Sequence, residues 1–73
     1  MFITVRREDR HVAVNLYQVT DISLNKTTRK RPQYYKFTLI DNTIIDSELF
    51  DEWVYAKRWL DGELKRNFPG YAG

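Results

Sequence analysis

The sequence predicts an α+β fold, a small antiparallel sheet of three to five strands packed on one C-terminal helix. Three observations carry this expectation. Apolar and polar residues alternate with period two through most of residues 2–24 and 34–46. Apolar residues recur three and four apart from 49 to 64. The polar pairs Glu8-Asp9 and Asp41-Asn42 fall between alternating runs, where tight turns belong. At 73 residues the chain is one small domain, read as compact over residues 1–67 with an irregular tail at 68–73.

The first two strands are residues 2–7 and 11–16. If Glu8-Asp9 is the turn, Val5 opposes Val12 and Ile3 opposes Val14; a longer turn shifts the register by two and keeps the same faces, so either way Ile3, Val5, Val12, Val14 and Leu16 share one face. Leu16-Tyr17-Gln18-Val19 reads as a corner. Thr20 to Leu24 is a third strand with Ile22 and Leu24 inward, Tyr34 to Ile40 a fourth, and Thr43 to Ile45 or Asp46 a fifth. A two-residue turn at Asp41-Asn42, both tolerant of positive φ, pairs Leu39 with Ile44. Tyr35, Phe37, Leu39 and Ile44 then share a face.

The period changes after Asp46. Asp46 or Ser47 is a suitable N-cap, and Glu48, Asp51 and Glu52 suit the positive end of a helix dipole. Leu49, Trp53, Ala56, Leu60 and Leu64 form one stripe, while Lys57, Arg58, Lys65 and Arg66 suit the C-terminal end. Gly62 weakens the last turn by about 1 kcal/mol relative to Ala, and Pro69 stops the helix.

Composition excludes several function classes. The chain has no cysteine and one histidine, which removes disulfide scaffolds, thiolate metal sites and multi-histidine metal sites. All three glycines lie at position 62 or beyond, so no glycine-rich phosphate loop is present. His11 and the serines lie in no nucleophile motif, and the acidic residues near 48–52 are explained by the helix dipole. The expectation is a non-enzymatic binding protein with no cofactor. No apolar run is long enough for a membrane span, and charges begin at Arg6 where a signal peptide would be apolar. A cytoplasmic protein with no membrane partner follows. Eleven aromatic residues can each bury roughly 150–250 Å², which argues against disorder.

The net charge of +2 conceals a division, +5 over residues 1–40 and −3 over residues 41–73. Asn25 to Gln33, joining the third and fourth strands, holds Lys26, Arg29, Lys30 and Arg31 and no acid. Its composition is that of a phosphate-contacting loop. Tyr34 follows as a stacking surface, and Lys36 points the same way. Tyr35 has the parity of Phe37 and faces the core. Lys26, Arg29, Lys30, Arg31, Tyr34 and Lys36 are therefore the candidate site for nucleic acid or an acidic protein surface. The bland alternative is a solvated loop that keeps the protein soluble. Arg6, Arg7 and Arg10 would extend the basic surface if the first turn lies near this loop.

A second candidate is a protein-binding flank on the helix formed by Glu52, Tyr55 and Trp59, with the aromatics as interface anchors for a host or regulatory protein. Against it stands the reading that these rings wrap the sheet edge. Monomer and dimer are both compatible with the sequence.

The order of strands, the Asn-Leu-x-x-Val corner and the Asp-Asn turn resemble the small FlbD-type flagellar proteins. The matching residues are Ile3-Thr4-Val5, Val14-Asn15-Leu16, Val19 to Ser23 and Thr38 to Thr43, within about residues 2–60. The long basic loop and the aromatic-rich helix depart from that family, whose helix is acidic and rich in Ile and Val. In size and composition the chain is also similar to small phage-encoded proteins that bind host factors. Its sheet-plus-helix order is similar to the DNA-binding arm domains of tyrosine integrases, a likeness of fold alone.

Overall fold

Phe2–Arg7 (β1) and Arg10–Asn15 (β2) pair antiparallel around Glu8-Asp9, with Ile3 opposite Val14 and Val5 opposite Val12. This is the register of a two-residue turn, and it keeps the faces that the alternation requires. It buries Ile3, Val5 and Val14 and leaves Thr4 and Ala13 exposed. Glu8 carries the turn at φ 55°. A two-residue hairpin turn with positive φ at its first position normally takes glycine there, so Glu8 holds a strained conformation.

The computed structural model describes residues 1–27 and 33–70. After β2 the chain turns through a single 3₁₀ turn, Leu16–Gln18, in which the Asn15 side chain accepts the Tyr17 N–H. It then enters Val19–Lys26 (β3). Gln33–Leu39 (β4) and Ile44–Asp46 (β5) complete a second sheet in the order β3-β4-β5. The strands thus divide into a two-stranded and a three-stranded antiparallel sheet rather than one continuous sheet. β4 is central, and among the described residues no strand lies along the outer edge of β3.

The β4–β5 connection corrects the expected pairing of Leu39 with Ile44. The loop holds three residues, Ile40 to Asn42, closed by Asn42 N–H to Leu39 O and Leu39 N–H to Thr43 O, each 2.9 Å. Asn42 sits at φ 67°, the left-handed third position of a three-residue hairpin loop. The extra residue shifts β5 by one, so Phe37 pairs with Ile45 and Thr38 with Ile44. Side chains alternate faces along a strand, so Ile45 turns inward and Ile44 is left 55% exposed. Within this loop, hydrogen bonds from the Thr43 side chain and backbone N–H hold the Asp41 carboxyl below its usual pKa.

The helix also starts later than its N-terminal acids suggest. Residues 47–50 continue along β4 instead of coiling. Ser47 N–H donates to Tyr35 O at 2.8 Å, and Gln33 and Phe50 exchange two backbone bonds of 2.7 Å. The Tyr35 N–H is taken by Ser47 Oγ at 2.8 Å, and that hydroxyl donates to Glu48 O. Ser47 is fully buried, acting as a side-chain rung of the ladder and not as the expected cap. The helix, Trp53–Asn67 (α1), has Glu52 at its N-cap without a side-chain capping bond.

The later start rotates the buried stripe. Ala56 is buried and Trp59 and Leu60 pack on the core, whereas Leu49 and Trp53 are exposed. At about 100° per residue the buried direction lies roughly 50° from the stripe that runs through Trp53, Ala56, Leu60 and Leu64. The reason is aromatic packing. The Trp59 ring lies 5.7 Å from Phe50 and 6.2 Å from both Tyr35 and Phe37, centroid to centroid, inside the range of favourable ring pairs. The core is thus Ile3, Val5 and Val14 from the hairpin, Tyr35 and Phe37 from β4, and Ala56 with its neighbours from α1. Ile22 packs against it as expected, but Leu24 is exposed.

Candidate binding surface

Tyr34 is the second residue of β4 and lies on the face opposite the core, with Asn25 beside it on β3. Lys36 follows on the same face, between Ser23 and Asp46. Both side chains are half-buried. The Asn25 amide is held on that face by the Ser23 carbonyl and hydroxyl, at 3.2 and 3.1 Å. Parity has therefore sorted Tyr34 outward and Tyr35 inward, as the sequence indicates.

The first hairpin reaches this surface. Arg7, the last residue of β1, sets its guanidinium carbon 5.3 Å from the centre of the Tyr34 ring. Its Nη1 donates to Ser47 O at 2.6 Å. The turn that bears Arg7 and Arg10 thus stands beside Tyr34, near the start of β4. A groove of about 310 Å³ runs between this turn and β5, lined by Arg7, Glu8, Arg10, Val12, Ile44, Ile45 and Asp46. Two cations and two acids line it, so its walls carry no net charge.

Lys26 is placed differently. It belongs to β3 rather than to the loop and pairs with Gln33. Its parity is that of Gln33 and Tyr35, so it lies on the other face of the sheet from Tyr34 and Lys36, exposed at the sheet's end. Arg29, Lys30 and Arg31 lie outside the described residues. Asp46, directly across from Lys36, offsets its charge locally.

Tyr55 and Trp59 lie one turn apart on α1, which has Glu52 at its N-cap. Tyr55 is 52% exposed and Glu52 is exposed at the N-cap, but Trp59 is packed against the core. The exposed apolar residues near Tyr55 are instead Leu49, Trp53 and Val54. A signal for them was present in the sequence. From Phe37 to Ala56 there are five acids and no Lys or Arg, an acidic stretch that carries large apolar side chains.

His11 is exposed on β2, opposite Arg6. Among the described residues no three His, Cys, Asp or Glu side chains form a group able to hold a metal ion, and no helix is long and apolar enough to cross a membrane. Comparison with protein-family models, with curated proteins and with solved structures yields no match.

Proposed function

We propose that this chain is a non-enzymatic binding protein that takes a polyanion, nucleic acid before others, at the end of the three-stranded sheet where Tyr34 meets the first hairpin. The observation that carries this reading is Arg7 over Tyr34. It sets a cation of the first hairpin beside a residue of β4 that follows the basic segment Arg29, Lys30 and Arg31 closely in sequence. Lys26 and Lys36, on opposite faces of the sheet, precede and follow that segment in sequence. Phosphate contact by these cations supplies affinity, and one face of Tyr34 supplies stacking. Contacts of this kind orient a nucleic acid without reading its bases, so binding is weak and largely indifferent to sequence.

The test is a titration of duplex DNA, single-stranded DNA and RNA against wild type and an Arg29/Lys30/Arg31→Ala variant over a range of salt. Four neutralised phosphates on a duplex give a log–log salt slope of about −3.6, at roughly −0.9 each. The variant is expected to bind more weakly with a shallower slope. Equal affinities, or an affinity independent of salt, would leave these cations as solubilising groups.

A further inference from the structure

β5 is an edge strand of the three-stranded sheet, and its free side is framed by a groove. Phe37 pairs with Ile45, Leu39 N–H donates to Thr43 O, and Ser47 N–H donates to Tyr35 O. In an antiparallel ladder the residues between such pairs point their backbone groups the other way. The N–H and C=O of Ile44 and Asp46 therefore face away from β4, and among the described residues no strand pairs with them. The groove of about 310 Å³ opens on this side. Ile45 lies on the core face of β5, Ile44 and Asp46 lie on the other, and all three line the groove. It thus follows the strand edge rather than either face. Its far wall is the first hairpin, through Glu8, Arg10 and Val12. Arg7 closes one end by donating to Ser47 O at 2.6 Å.

Three features choose the occupant. Unpaired strand donors and acceptors are matched best by another extended backbone. The walls balance two cations against two acids, which complements an uncharged segment and favours neither a polyanion nor a polycation. The hairpin wall leaves room for a single segment. The edge of a folded sheet arrives with its own domain behind it. A second copy paired through β5 would bring its own hairpin into the same space, since a two-fold interface is self-facing.

We propose that the groove between β5 and the first hairpin takes an extended, uncharged segment of a partner protein, which adds antiparallel to β5 as a fourth strand of the sheet. Its residues opposite Ile44 and Asp46 exchange backbone bonds with them. The residue between, opposite Ile45, turns its side chain to the core face, where Val12 and Ile45 line the groove. A β-branched aliphatic residue suits that position. The inference rests on the β5 edge, so failure of the polyanion reading leaves it standing.

The experiment titrates the isotope-labelled full chain with the uncharged peptide acetyl-Thr-Thr-Val-Thr-Thr-amide and follows the backbone amide resonances. The peptide is expected to move the Ile44 and Asp46 amides and to leave those of Ile22 and Leu24, in the other edge strand, in place. The same peptide N-methylated at the two threonines beside valine lacks the donors that face β5. It is expected to bind about tenfold or more weakly, as loss of two backbone bonds requires. A peptide with glycine in place of valine is also expected to bind more weakly. Ile44→Pro removes an outward N–H without touching the ladder to β4, a place where an edge strand tolerates proline, and is expected to abolish binding. Val12→Thr, which keeps the side-chain shape, is expected to weaken it and tests the far wall should the proline disturb the neighbouring loop. Undiminished binding of the N-methylated peptide, undiminished binding to both variants, or no amide shift with roughly 5 mM peptide overturns the proposal. So do shifts centred on Ile22 and Leu24, which would put the peptide on β3. Shifts of Ile44 and Asp46 that grow with protein concentration alone also overturn it, since they would assign the edge to a second copy of the chain.

Discussion

The Arg7 guanidinium is shared between two partners 13 residues apart in sequence, the ring of Tyr34 at 5.3 Å and the Ser47 carbonyl at 2.6 Å. One side chain thereby ties the two-stranded hairpin to both the central and the outer part of the second sheet. The planar group is suited to this because it can stack and donate at once, which an ammonium does less well.

Replacing Arg7 therefore tests stability and binding together. Arg7→Ala is expected to lower stability by about 2–4 kcal/mol, the sum of a charged hydrogen bond and a partly exposed cation–π contact. Arg7→Lys should recover the charge but only part of the stability. Urea unfolding of the three proteins measures this. If Arg7→Lys matches wild type, the planar stacking contributes nothing.

Ser47→Ala removes the acceptor of the buried Tyr35 N–H. A buried donor left without a partner costs about 1–3 kcal/mol. Ser23→Ala is the comparison: the Asn25 amide that it releases keeps the Ser23 carbonyl as acceptor, so the cost should be only about 0.5 kcal/mol. Similar midpoints for the two variants would mean that the Ser47 rung is dispensable.

The two tryptophans should behave in opposite ways. Trp59→Ala opens a cavity between three aromatic rings and is expected to cost about 3–5 kcal/mol, enough to unfold much of so small a domain. Trp53→Ala should change stability by about 0.5 kcal/mol or less. Iodide should quench the Trp53 emission and spare that of Trp59. Equal quenching of the two single-tryptophan proteins would contradict the packing of α1.

Glu8 at φ 55° holds a conformation that costs a side-chain-bearing residue roughly 1–2 kcal/mol. Glu8→Gly relieves that strain but gives the unfolded chain more freedom. The net expectation is a gain of about 0.5 kcal/mol, or roughly 2–4 °C in melting temperature for a domain of this size. A lower melting temperature would show that the Glu8 side chain contributes more than its backbone costs.

How far the sequence discloses this fold depends on what each segment competes with. The faces of the first hairpin are legible because alternation gives them whatever the turn length, and the two-residue turn then sets Val5 against Val12. The β4–β5 turn is misread by one residue. Asn42 does take positive φ, but a loop of two residues and one of three share the Asp-Asn signal, and the difference decides whether Ile44 or Ile45 is buried. The start of α1 is hidden for another reason. Ser47 and the acids after it have the composition of a helix N-terminus, and only the partnership of Ser47 and Phe50 with β4 shows that this stretch is spent as an edge. The helix rotation follows from that, and so do the burial of Trp59 and the exposure of Trp53. Of the basic site, the opposite orientations of Tyr34 and Tyr35 are legible from parity. The approach of Arg7 is not, because it depends on how two separate sheets pack.

The bare outer edge of β3 has a consequence for how the protein behaves when crowded. Eight residues of backbone with no neighbouring strand among the described residues are a template for strand addition by another chain. Two features of β3 counter this. The register shift between Val19 and Asp21 breaks the flatness of the edge, and Asp21 and Lys26 set an exposed charge towards each end. Between them Leu24 stands exposed. Among the described residues, resistance to intermolecular strand pairing thus rests on a kink and two charges rather than on a covering strand.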